Sequence, residues 1–201
     1  MSTSQSLVSQ PSPLAPKGEW RVWAKQNRTT LLTPHRSQAL IAQCLSWEGF
    51  LKADELLITW PTGDELDVRP LIQAFQGLVY LPRITGPRQM AFHQFESEAP
   101  LVEGSYGILE PEKIAPLWQP NPRLHTLLMA PALCVDAARY RLGYGGGYFD
   151  AWLHAHRPLL QESLTVASLI PLALVVKHLP HDDWDQRLDT VLTEDGGVGN
   201  A

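Results

Sequence analysis

Residues 141–150 read RLGYGGGYFD and put four glycines, Gly143, Gly145, Gly146 and Gly147, within five positions. Neither a helix interior nor a strand interior accommodates such a run, because each glycine brings backbone freedom that folding must remove. The run must therefore be a turn. It follows an apolar segment at 127–135 and precedes a helical stretch at 149–156, so it joins a strand to a helix. Such a turn leaves backbone N–H groups bare beside the positive end of the helix, which makes an anion site. Arg141 adds a forked, permanently charged donor suited to phosphate. Asp150 adds a carboxylate, which can hold a magnesium ion beside a phosphate or cap the following helix. A plain glycine turn without a ligand is the simpler alternative.

Two phosphate motifs do not fit. A P-loop ends in Gly-Lys-Ser/Thr, and the run holds neither Lys nor Ser. The dinucleotide fingerprint needs a third glycine where Tyr148 stands, and an acidic residue about 20 positions on. A dinucleotide-dependent oxidoreductase is disfavoured on those grounds. No Gly-x-Ser-x-Gly elbow supports a serine hydrolase. None of the seven histidines pairs with Cys or Glu at zinc spacing.

The 201 residues fit one unit. Residues 1–16 read as a flexible lead-in, 17–195 as the folded domain and 196–201 as a loose tail. The formal net charge of −5 argues against nucleic acid and anionic membranes as partners. No apolar run is long enough to span a membrane. Cys44 and Cys134 lie in apolar surroundings and read as free, buried thiols, in keeping with a cytoplasmic address.

Along the chain, Lys17, Arg21 and Arg28 share one face of a first helix, and a solvated basic face is one reading of them. Thr33-Pro34 reads as an N-cap with proline at the first helical position, opening a helix at 34–47. Strands are expected at 55–60, 78–81, 89–95, 126–130 and 164–170, and a final strand after Leu188-Asp189-Thr190-Val191. A helix should open at Glu65 and run through Phe75. Another should run over 150–156 and stop at Arg157-Pro158. Strands alternating with helices predict an α/β domain with a mostly parallel sheet covered on both faces, a three-layer α/β/α arrangement.

The string RLGYGGGYFD resembles the signature of the 5-formyltetrahydrofolate cyclo-ligase, or methenyltetrahydrofolate synthetase, family. Members carry Arg-Leu-Gly, a short glycine run, two aromatic residues and Asp. The likeness extends to the basic first helix, to Glu65-Leu66-Asp67, to the Gly-Ile-x-Glu-Pro segment at 107–111, and to a tail of Leu-Pro, Asp185 and an Asp-x-Val strand. It implies an enzyme that converts 5-formyltetrahydrofolate and ATP to 5,10-methenyltetrahydrofolate, ADP and phosphate through a phosphorylated formyl intermediate, with Mg²⁺. The resemblance assigns ATP to Lys17, Arg21 and the run Arg141, Leu142, Gly143, Tyr144, Gly145, Gly146, Gly147, Tyr148 and Phe149. Arg141 is the catalytic candidate. It assigns the folate to Trp60, Glu65, Tyr144 and Tyr148, and the metal to Asp150 and Asp185. The only partners expected are these substrates, and the chain is expected to be a monomer. A non-catalytic relative that binds folate or nucleotide is the alternative, and it should have lost some of Lys17, Arg21, Glu65, Arg141 and Asp150. Three departures stand out: Arg139 replaces a usual Gly, a usual Gln is missing from 171–176, and Ala151 follows Asp150 where many members have Arg.

Overall fold

The computed structural model describes residues 7–198. The chain opens with α1 (Lys17–Leu31), α2 (Pro34–Ser46) and the short α3 (Glu48–Leu51). Then come β1 (Glu55–Leu57), α4 (Arg69–Ala74), β2 (Leu78–Gly86) and β3 (Gln89–Gln94). A small hairpin, β4 (Leu101–Glu103) and β5 (Leu109–Pro111), leads to β6 (Thr126–Met129), β7 (Cys134–Asp136) and β8 (Arg141–Leu142). The chain continues through α5 (Tyr148–Leu160), β9 (Leu164–Leu169), β10 (Val175–Val176), β11 (Thr190–Thr193) and β12 (Gly196–Val198).

The main sheet runs β12-β11-β9-β6-β1-β2-β3. Its five inner strands are parallel, and the two outermost, β3 and β12, run antiparallel. Side-chain alternation explains why both faces are covered. Leu56, Val79, Leu81, Leu127, Met129, Ala167 and Leu192 point to one side and pack with Ile41 and Cys44 of α2, Phe50 of α3 and Leu71 of α4. Their neighbours Leu57, Tyr80, Leu128, Val166 and Val191 point to the other side, toward Trp20, Trp23 and Ala24 of α1 and Trp152 and Leu153 of α5. The expected three-layer arrangement is present.

Several boundaries differ from the sequence expectation for identifiable reasons. The helix expected from Glu65 begins at Arg69, with a proline in its first turn. Residues 62–65 form a turn instead: Glu65 N donates to the Thr62 carbonyl at 3.0 Å, and the Glu65 carboxylate accepts from Thr62 N at 2.8 Å. Helix α5 starts two residues early and runs past Pro158 to the buried Leu160. A proline so near the helix end removes one intrahelical bond, and burial of Leu160 outweighs it. Residues 196–198, expected in a loose tail, pair antiparallel with β11; residues 199–201 lie outside the described residues. In the lead-in, Val8 is clamped to α1. Its N–H donates to Asn27 Oδ1 at 2.8 Å, and its carbonyl accepts from Trp23 Nε1 at 2.9 Å. Residues 1–6 lie outside the described residues.

Cys44 and Cys134 are buried and unpaired. Burial pushes both thiols up to about 12, Cys134 with help from the Asp136 charge. Among the described residues no helix is long and apolar enough to cross a membrane.

Candidate active site

In an open α/β sheet, ligands bind beyond the carboxyl ends of the strands where the strand order reverses. Here β1 is followed by β2 on one side and flanked by β6 on the other, so the reversal lies between β1 and β6. A cleft opens there. Ile58, Thr59 and Pro61 after β1, Met129 at the end of β6 and Ala130 after it, and Ile170 and Pro171 after β9 line it, with Arg28, Glu65 and Tyr144 among its polar groups. With its open mouth included it measures about 610 Å³.

The glycine loop borders this cleft. It leaves β8, and its last glycine, Gly147, stands at the N-cap of α5 with φ 69°. That left-handed geometry and the φ of 107° at Gly145 explain why those two positions are glycine. Gly146 is constrained differently, since a Cβ there would stand 2.6 Å from the Tyr148 ring. The loop joins two groups that the sequence keeps far apart. Tyr144 donates its hydroxyl proton to Glu65 Oε1 and accepts from Arg28 Nη1 at 2.5 Å. Burial, and then the Glu65 charge, push the Tyr144 phenol well above its ordinary value, with Arg28 opposing. Arg28 is itself buried and pairs with Asp64 at 2.7 Å.

A second knot lies behind the loop. The Arg141 side chain is 3% exposed, and its guanidinium sits 3.1 Å from Asp150 Oδ1. It also donates to the Gln186 carbonyl at 3.0 Å. Asp150 Oδ1 accepts from Gln186 N at 3.0 Å, so arginine, carboxylate and backbone lock the start of α5 to the 182–186 loop. Burial pushes the Arg141 guanidinium down from its ordinary value, against the pull of Asp150, yet an arginine stays charged. Lys17 Nζ spans Asp182 at 2.6 Å and Asp185 at 2.5 Å. Burial lowers its affinity for the proton, and the two carboxylates more than restore it. Arg21 Nε donates to the Gly143 carbonyl at 2.9 Å, which ties α1 to the loop.

The family profile described as the 5-formyltetrahydrofolate cyclo-ligase family matches residues 16–194. This chain belongs to that family. The probable 5-formyltetrahydrofolate cyclo-ligase of Schizosaccharomyces pombe is 25% identical over 130 residues, 61% of this chain and 64% of that protein, so the chain spans just under two thirds of that relative. The 5-formyltetrahydrofolate cyclo-ligase of Escherichia coli K12 is 27% identical over 177 residues, 84% of this chain and 95% of the other. The solution structure of Aquifex aeolicus 5,10-methenyltetrahydrofolate synthetase is similar with a TM-score of 0.72 at 26% identity, covering 90% of this chain and 91% of that one. A Mycoplasma pneumoniae 5,10-methenyltetrahydrofolate synthetase shares the fold at 16% identity and a TM-score of 0.67.

As a member of the cyclo-ligase family, the chain brings most of its family-type residues to one end of the sheet. Glu65 and Tyr144 meet in the cleft. Lys17, Arg21, Arg141, Asp150 and Asp185 surround the glycine loop, and Leu142 is buried at its base. Phe149 lies under the Arg141 guanidinium at 5.9 Å. Tyr148 meets Tyr106 through their hydroxyls at 3.3 Å. Trp60 does not line the cleft; its ring packs edge-on against Phe95 at 5.7 Å. Arg139, where members carry Gly, holds a φ of 67°. The β7–β8 turn needs a left-handed residue there, and Asp136 braces it by accepting from Ala138 N at 3.0 Å and Tyr140 N at 2.9 Å. Arg28 and Gln186 were missed as site residues. The basic face of α1 signals Arg28, whereas nothing local marks Gln186, which acts through its backbone.

Proposed function

We propose that this chain catalyses the reaction of its family, the ATP-dependent closure of 5-formyltetrahydrofolate to 5,10-methenyltetrahydrofolate with release of ADP and phosphate. The observation that carries this reading is the Tyr144–Glu65 bond: the phosphate-type loop and the folate-type carboxylate share one cleft, as a reaction between the two substrates requires. All five residues whose loss would mark a non-catalytic relative, Lys17, Arg21, Glu65, Arg141 and Asp150, are present.

The formyl oxygen is a poor leaving group. Its attack on the terminal phosphoryl group of ATP releases ADP and turns that oxygen into a phosphate ester. The second folate nitrogen then bonds to the formyl carbon and gives up its proton, and inorganic phosphate departs. Phosphoryl transfer asks a protein for positioning and charge neutralisation. The N–H groups of the glycine loop and of the first turn of α5 suit the phosphates. Arg141 and Lys17 supply positive charge around them. Arg21 holds the loop through Gly143, and Glu65, fixed by Thr62, offers the folate an acceptor for N–H groups.

The residues present fit a magnesium ion. Asp150 and Asp185 each commit one oxygen to protein donors and leave the other without one among the described residues, and both act on the Arg141 charge. Among the described residues no group of three or more metal-type ligands occurs. Two carboxylates, each with an oxygen to spare, suit a cation bound by one or two carboxylates and completed by substrate phosphates. Asp150 and Asp185 would hold the ion, which would neutralise charge on the phosphate oxygens.

The test is an absorbance assay for methenyltetrahydrofolate, with 5-formyltetrahydrofolate and Mg-ATP supplied and ADP measured in parallel. Product should form only with ATP, one ADP per turnover. A folded protein that binds both substrates and forms no product would leave the non-catalytic alternative standing.

A further inference from the structure

We propose that Arg88 is a further phosphate-binding residue of the nucleotide site, carried to the glycine loop by the tip of the β2–β3 hairpin. The proposal rests on the nucleotide reading above.

Every cation that the sequence assigned to phosphate is already engaged by a protein acceptor. Lys17 is held by Asp182 and Asp185, Arg21 by the Gly143 carbonyl, and Arg141 by Asp150 and the Gln186 carbonyl. Arg28 is held by Tyr144 and Asp64. Arg88 differs. Its side chain is exposed, yet it lies along the loop: a Cβ on Gly147 would stand 3.5 Å from Arg88 Nε and 3.7 Å from Cδ. Arg88 itself has no hydrogen bond or ion pair within the protein among the described residues. Gly147 is the N-cap of the 13-residue α5 and has no side chain to cap it. A guanidinium without an acceptor thus stands beside uncapped helix N–H groups, where an anion would satisfy both.

The backbone points the same way. Gly86 pairs with Gln89 across the hairpin, so Pro87 and Arg88 are its two turn residues. Arg88 has a φ of 54°, a left-handed geometry at the turn position that favours glycine. An arginine kept in a strained place is accounted for if its side chain is used. The ligand it suits is the di- or triphosphate of a nucleotide, because the forked guanidinium matches phosphate oxygens and the glycine loop supplies the remaining donors.

Titration calorimetry of the full chain with ATP, ADP, AMP and 5-formyltetrahydrofolate tests this. Arg88→Gln should weaken ATP and ADP by about tenfold or more, the effect of one charge-assisted phosphate contact. AMP and 5-formyltetrahydrofolate should bind as before. Arg88→Lys should restore part of the loss. Arg88→Gly removes the strain, so it should melt no lower than wild type and still show the full loss of ATP affinity, which a merely structural role would not produce. Unchanged ATP affinity in Arg88→Gln, beside normal binding by the wild-type chain, overturns the arm and leaves the proposed function intact. A loss falling on 5-formyltetrahydrofolate instead also overturns it. Absence of ATP binding by the wild-type chain overturns both readings.

Discussion

Asp150→Asn separates three roles for one carboxylate. The sequence offers a helix cap or a metal ligand, and the structure adds a third, the counter-ion of a buried arginine. A capping role is excluded by geometry, because Gly147 is the N-cap of α5 and no side chain caps it. Arg141 is 3% exposed and Asp150 22%, so the pair is shielded from water. Removing one partner of a fully buried pair destabilises by about 3–5 kcal/mol, because the remaining charge is left uncompensated. The loss is smaller here. The Asn carbonyl can still accept from Gln186 N, and Arg141 keeps the Gln186 carbonyl, so about 2–3 kcal/mol is the expected cost. For a chain of this length each kcal/mol shifts the melting temperature by about 2–4 °C, which gives a drop on the order of 5–10 °C without any ligand. Thermal melting followed by circular dichroism reads it, and urea midpoints give the free energy. In a cycle with Arg141→Gln, the double variant should recover part of the loss, since no unpaired charge remains. An Asp150→Asn protein that melts with the wild type, or a cycle without coupling, would refute the counter-ion reasoning.

Gly146→Ala puts a methyl group into the space of the Tyr148 ring, so the ring or the loop must shift; an ATP titration should show weaker binding, and unchanged affinity would count against it. Both thiols stay protonated in the folded chain up to about 12 but ionise near about 8.5 when unfolded. The unfolded state therefore holds fewer protons across that window, and stability falls as pH rises through it; the urea midpoint should drop less steeply above about pH 8.5 in Cys44→Ala/Cys134→Ala than in the wild type.

Elements held together by local pattern were legible in the sequence. The strand alternation, the Thr33-Pro34 helix start and the glycine turn into α5 all follow from residues within a few positions of one another. The partners of the site residues were not legible, because they come from far along the chain. Lys17 meets Asp185 across a separation of 168 residues, and Tyr144 meets Glu65 across 79. No periodicity reports such pairs, so Lys17 read as a phosphate ligand without its two carboxylates, and Asp150 without its arginine. Trp60 follows the last paired residue of β1, where the pleat no longer dictates direction, and its ring went to Phe95. Gly196-Gly197-Val198 reads as a tail because glycine weakens strands, but the open edge of β11 supplies the missing backbone partners.

The lock between the glycine loop and residues 182–186 also sets a schedule for how the protein is made. During synthesis the chain emerges at roughly 5–20 residues per second. The strands β1, β2 and β6 can pair as soon as residue 129 is out. Lys17 cannot reach its two carboxylates, nor Arg141 the Gln186 carbonyl, until Asp182, Asp185 and Gln186 have followed. For that interval the nascent chain carries a buried-type arginine with Asp150 alone and a lysine with neither carboxylate. The lock on the glycine loop thus closes only after β9 has been made and just before β11 and β12 finish the sheet, and a ribosome stalled before residue 182 would display much of the sheet with the loop still unlocked.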